Sequence, residues 1–161
     1  MEQWSDFFVA TAGAAAALAG LVIVAMSVNV AQIIKFPQLP PRAGATIASL
    51  VMALLTALAG LAHQPERVFG LEALAFGLIA WALHLHSGQV ALRAGRATGR
   101  PREEAVRVVV LGQLQTLPLA VGGALVALAA PGGVYVVFAG ILTLFALAML
   151  DAWVLLIEIL R

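Results

Sequence analysis

No cysteine occurs among the 161 residues, which excludes disulfides, thiolate metal sites and cysteine nucleophiles. Charge is scarce as well. Charged residues make up 11% of the chain, where a soluble domain carries about a quarter. That leaves too little polar surface to coat a water-soluble globule of this length. Lysine occurs once, at Lys35, against eight arginines, and tyrosine once, at Tyr135. The sequence also lacks G-x-S-x-G, H-E-x-x-H and Walker-type loops. The expectation is therefore no enzymatic activity and no cofactor.

What fills the chain instead is apolar. Hydrophobic residues account for 63% of it, and its mean hydropathy is +1.04. Runs of about 20 apolar residues recur, the length one helix needs to cross a bilayer core. Five can be drawn, at 7–34, 43–62, 69–92, 108–130 and 134–160. They predict an all-α integral membrane bundle of five transmembrane helices in a single domain, 1–161. The acidic start, Glu2 and Asp6, and the length of the first run argue for a retained span rather than a cleaved signal. Between the runs, Phe36-Pro37-Gln38-Leu39-Pro40-Pro41 reads as non-helical because proline lacks an amide donor. His63-Gln64-Pro65 and Pro131-Gly132-Gly133 read as tight turns, and 93–107 as the longest break.

The basic residues predict orientation. Lys35, Arg42, Arg93, Arg96, Arg100, Arg102, Arg107 and Arg161 fall on one side of a five-span chain, and only Arg67 on the other. The positive-inside rule makes the first side cytoplasmic, with the N-terminus out and the C-terminus in. The arginine and alanine bias fits a GC-rich bacterial genome, so the expected location is a bacterial cytoplasmic (inner) membrane. In 93–107 the arginines serve topology and contact with anionic headgroups. Without interleaved aromatics, and with Glu103 and Glu104 among them, they do not suggest a nucleic-acid partner.

Within residues 4–45, Trp4-x-x-Phe7-Phe8, the alanine-rich 13–21, Ser27-x-Asn29 and Pro40-Pro41-Arg42-Ala43 form a recognisable pattern. It resembles a group of small bacterial polytopic membrane proteins, some labelled as modulators of a membrane-bound AAA protease. The resemblance implies a small bacterial membrane protein and transfers no site residue.

In lipid, helices associate through close packing of small residues and through polar contacts. Gly13, Ala16, Ala17, Gly20 and Ser27 share one face of the first run, and Ser49, Ala53, Thr56 and Gly60 one face of the second. Gly70, Ala73, Gly77, Ala80, His84 and Ser87 align on the third. Gly13, Ala17, Gly20, Gly60 and Gly77 are the expected packing positions. Pro118 predicts a kink in the fourth run. Five short spans barely enclose a solute path alone, so a homo-oligomer, or a larger membrane partner, is expected.

The residues able to carry chemistry are polar ones inside the spans. Asp151 stands ten residues before Arg161, ~15 Å along a helix axis. His84 and Gln115 count to similar depth, with Asn29, Gln32, His86, Gln89 and Gln113 comparable or shallower. Glu158 shares a face with Asp151. His84 and His86 project about 200° apart and cannot chelate one metal from a regular helix. Charged groups in hydrocarbon cost at least ~2.5–3.5 kcal/mol each, so this layer has a purpose. It can line a permeation or proton site, with Asp151 as centre, His84 as its leading partner, and His86, Gln113, Gln115, Asn29 and Glu158 along the route. The protein would then be an oligomeric channel or proton-linked transporter. Alternatively, the layer braces the bundle of an accessory or regulatory subunit without transport of its own. An axial haem ligand at His84 or His86 is the weakest option, because no second histidine sits at matching depth.

Overall fold

The computed structural model describes residues 2–98 and 102–160, without the side chains of Glu2, Ala97, Thr98, Arg102, Glu104, Ala105 and 155–160. A single 3₁₀ turn, Glu2–Trp4, leads into α1 (Ser5–Val28), followed by the short α2 (Val30–Ile33), α3 (Leu39–Leu61), α4 (Glu66–Thr98), α5 (Arg102–Ala127) and α6 (Gly133–Leu160). The described residues contain no strand. Five of the helices are long and apolar enough to cross a membrane.

Three boundaries differ from the sequence reading, each for a local reason. The first apolar run is not one helix: α1 stops at Val28, and Asn29 separates it from α2. The Pro40-Pro41 pair lies inside α3, in its first turn, where an amide has no intrahelical acceptor and proline's fixed φ suits the helix. The expected break at 93–107 is mostly helix, since α4 continues to Thr98 and α5 starts at Arg102. Arginines and glutamates are good helix formers. At the other end of α5, Ala129 takes the left-handed conformation (φ 55°), and its successor's amide donates to Leu125 O at 2.9 Å. That closes the helix in a Schellman motif.

The helices pack in sequence as antiparallel neighbours, and the fit is closest between α4 and α5. There Gly77 faces Ala120 so closely that a Cβ on Gly77 would stand 2.6 Å from the Ala120 nitrogen. Gly123 faces Leu74 equally tightly, with Gly70 against Ala127 at one end and Gly88 against Val109 at the other. Each step along α4 is matched by an opposite step on α5, fixing the register over the whole pair. α5 continues through Pro118, and Gly140 of α6 lies against that turn. α3 closes the set by packing on both α4 and α6.

α1 stands outside this group. It packs mainly on α3, through Phe8, Ala15, Ala19 and Met26. A cluster of edge-on rings also joins Trp4, Phe7 and Phe8 to Phe69, Tyr135 and Phe138. Gly60 admits the Phe8 ring, whose carbons would lie 2.6 Å from a Cβ there. Gly13, Ala16, Ala17 and Gly20 do not face this interface. They are exposed, and Gly13 and Gly20 have no neighbour within 4 Å of an added Cβ. α1 is apolar all round, and the side with Phe8, Ala15, Ala19 and Met26 is buried while the side with Gly13, Ala16, Ala17 and Gly20 faces outward.

Candidate functional site

The polar groups within the helices form interhelical pairs, and these follow from the register just described. On α3, Arg42, Thr46 and Ser49 share the face turned inward. Arg42 Nη2 donates to Asp151 Oδ1 on α6 at 3.0 Å, with the two side chains only 16% and 22% exposed. Two turns further along α3, Ser49 Oγ lies 2.8 Å from His84 Nε2 on α4. The same hydroxyl lies 3.1 Å from the Ala45 carbonyl, and which group donates across the Ser49–His84 contact depends on the imidazole tautomer. Trp81 Nε1 of α4 donates to Gln113 Oε1 of α5. Gln115 Nε2 of α5 donates to the Leu144 carbonyl of α6 at 3.4 Å.

These four contacts join α3 to α6, α3 to α4, α4 to α5 and α5 to α6. Together they close a ring around four helices. None of them reaches α1. Among the described polar side chains of α1, Ser27 turns back to its own Ile23 carbonyl at 2.8 Å, while just past its end Asn29 Nδ2 donates to Ala25 O at 2.9 Å.

The geometry separates residues that the sequence grouped by depth. Asp151 and His84 take different hydrogen-bond partners, Arg42 and Ser49, seven residues apart on α3, and remain within electrostatic reach of each other. His84, Gln115 and Thr116 are buried.

The remaining candidates do not converge. His86 and Gln89 are exposed on the outer side of α4. Gln32 accepts from Lys35 Nζ at 2.7 Å on the surface. The Glu158 side chain lies outside the described residues, as do Gly99, Arg100 and Pro101. Arg93, Arg96 and Arg107 are exposed at the end of the α4–α5 pair. Sequence reasoning placed Arg42 only among the topological charges and did not pair it. The available signal was its spacing from Ser49, two turns along one helical face. Among the described residues, no three His, Asp or Glu side chains gather as a metal site would require.

No protein-family model, curated protein or solved structure matches the chain.

Proposed function

We propose that this protein is a non-catalytic accessory subunit of a membrane assembly, in which a braced four-helix core carries α1 as its docking helix. The observation behind this reading is the ring of polar contacts through α3, α4, α5 and α6. It uses the costly polar groups to hold the core, while α1 keeps a face of small residues open. Such faces permit close helix approach in lipid. In this reading α1 pairs two copies of the chain within the assembly, in a two-fold dimer that sets the same face against itself. In this reading the N-terminus is outside and the C-terminus cytoplasmic, in a bacterial inner membrane. Arg93, Arg96 and Arg107 then meet anionic headgroups, each contributing about 1 kcal/mol.

Association is tested by pairwise energy transfer between labelled copies at rising dilution in lipid vesicles. Efficiency should fall to the random level for Gly13→Leu/Gly20→Leu, while that variant remains folded. Efficiency at the random level for the wild type would refute docking through α1. Orientation is tested with a cysteine at Gln3, which should be labelled from outside in intact cells, and one at Glu103, which should not. Labelling of both would contradict it.

A transporting role remains the second reading, favoured by one observation: Gln115 is 1% exposed, and its Oε1 has no hydrogen-bond partner among the described residues. Reconstituted protein should then pass ions or protons above empty vesicles, with a rate or pH dependence altered in Asp151→Asn. Absence of flux under every gradient, with that variant changing only stability, sustains the accessory role.

A further inference from the structure

We infer that the corner between α1 and α3 is an interfacial anchor, which seats Val30 and Ile34 in the acyl–headgroup boundary of the bilayer and keeps Gln32 and Lys35 in the water layer beside it. The corner begins where the membrane crossing is complete. α1 has 24 residues, ~36 Å of helix, and α3 has 23 on the way back, ~34 Å. Each alone exceeds the ~30 Å hydrocarbon core. Residues 29–38 therefore need no apolar side chain for spanning, yet Val30 is 53% exposed and Ile34 68%.

The backbone there sorts the side chains by face. Asn29 closes α1, its amide donating to Met26 O at 3.2 Å and its Nδ2 to Ala25 O at 2.9 Å. Its carbonyl then accepts from the amides of Gln32 and Ile33, which starts the new turn of α2. Ile34 N donates to Val30 O at 3.1 Å, so Ile34 stands one turn along from Val30 on the same face. Gln32 and Lys35 share the opposite side, where Lys35 Nζ donates to Gln32 Oε1 at 2.7 Å. Between the two faces Ile33 is buried, in one cluster with Met26, Leu39 and Ala43. Ile33 and Leu39 thus hold the corner against the ends of α1 and α3.

A turn that is apolar on one side and cationic on the other has the pattern of a helix lying in a membrane interface. The long stem of Lys35, the only lysine, lets its ammonium reach the headgroups. The lipid surface is the partner because the exposed apolar surface of α1 continues into the corner. Beyond Gly20 it runs through Leu21, Ile23, Val24 and Val28 to Val30 and Ile34. The anchor does not depend on pairing through α1, which can fail without affecting it.

The cysteine-free chain allows a spin label at one position at a time. In lipid vesicles, relaxation of the label by oxygen, which concentrates in hydrocarbon, is compared with relaxation by a water-soluble nickel chelate. Labels at Val30→Cys and Ile34→Cys should respond more to oxygen than to nickel, and the ratio should invert at the adjacent Lys35→Cys. Exposed Leu78 on α4 and exposed Glu103, labelled in the same way, give the hydrocarbon and water references, so a failure of insertion shows at Leu78. Nickel access at Val30 and Ile34 equal to that at Lys35 would overturn the inference by placing the whole corner in water. Protection of both positions from both reagents would overturn it as well, since a protein surface, a second copy included, would then cover that face.

Discussion

The pair α4–α5 and the helix α1 are built from similar residues and are used in opposite ways. Both are rich in glycine and alanine. In α4–α5 those residues bring two backbones within reach, Gly77 to Ala120 and Gly123 to Leu74, and Trp81 and Gln113 add a polar bond across the pair. In α1 Gly13, Ala16, Ala17 and Gly20 face outward, and Phe8, Ala15, Ala19 and Met26 make the contact. In lipid there is no hydrophobic drive between helices. A helix held without an interhelical polar bond among the described residues is therefore the one most easily exchanged between partners.

The sharpest way to break this contrast is to put the same large residue into both places. Gly77→Leu should prevent α4 from approaching α5 and abolish folding, whereas Gly13→Leu should leave folding unchanged. Size-exclusion profiles and thermal unfolding in mild detergent report both outcomes. Equal damage from the two would mean that α1 belongs to the core.

Next in size is Arg42→Met, which leaves Asp151 without the guanidinium at 3.0 Å. Stability in a steric-trapping measurement should fall by about 3 kcal/mol. Arg42→Met/Asp151→Leu should recover most of that loss, since no charge then remains unpaired. No recovery would mean that the two side chains act separately.

Phe8→Ala removes a fully buried ring from the α1 junction. A loss of roughly 2 kcal/mol is expected, below the 3–5 kcal/mol of a water-soluble core, because lipid chains refill the site. Hydrogen exchange should accelerate in α1 and stay unchanged in α4 and α5. Acceleration throughout would erase the distinction between the regions. Ser49→Ala, which breaks one link of the ring, should cost about 1 kcal/mol or less, with His84 shifted in the NMR spectrum and the fold retained.

Much of this fold is legible from composition alone. Five apolar runs at bilayer length leave few alternatives, and the third and second runs carry their small residues on the faces that pack. The same reasoning misplaced Gly13, Ala17 and Gly20 within one copy of the chain, because a stripe of small residues marks a possible interface without naming its partner. Pairing was the harder quantity: counting depth grouped Asp151 with His84, while the hydrogen bonds join Asp151 to Arg42 and His84 to Ser49. Arg42 was hidden for the same reason: beside two prolines it looks like loop, yet the prolines occupy a first helical turn and the arginine projects inward at the level of Asp151.

The central claim, that the core is closed and α1 is the open helix, is tested most directly by disulfide trapping in native membranes. The cysteine-free sequence makes single substitutions unambiguous. Oxidation of Ala17→Cys should give a covalent dimer in high yield, while Leu78→Cys, exposed on α4, should remain monomeric at matched expression. Dimer formation through Leu78→Cys with none through Ala17→Cys would contradict the account.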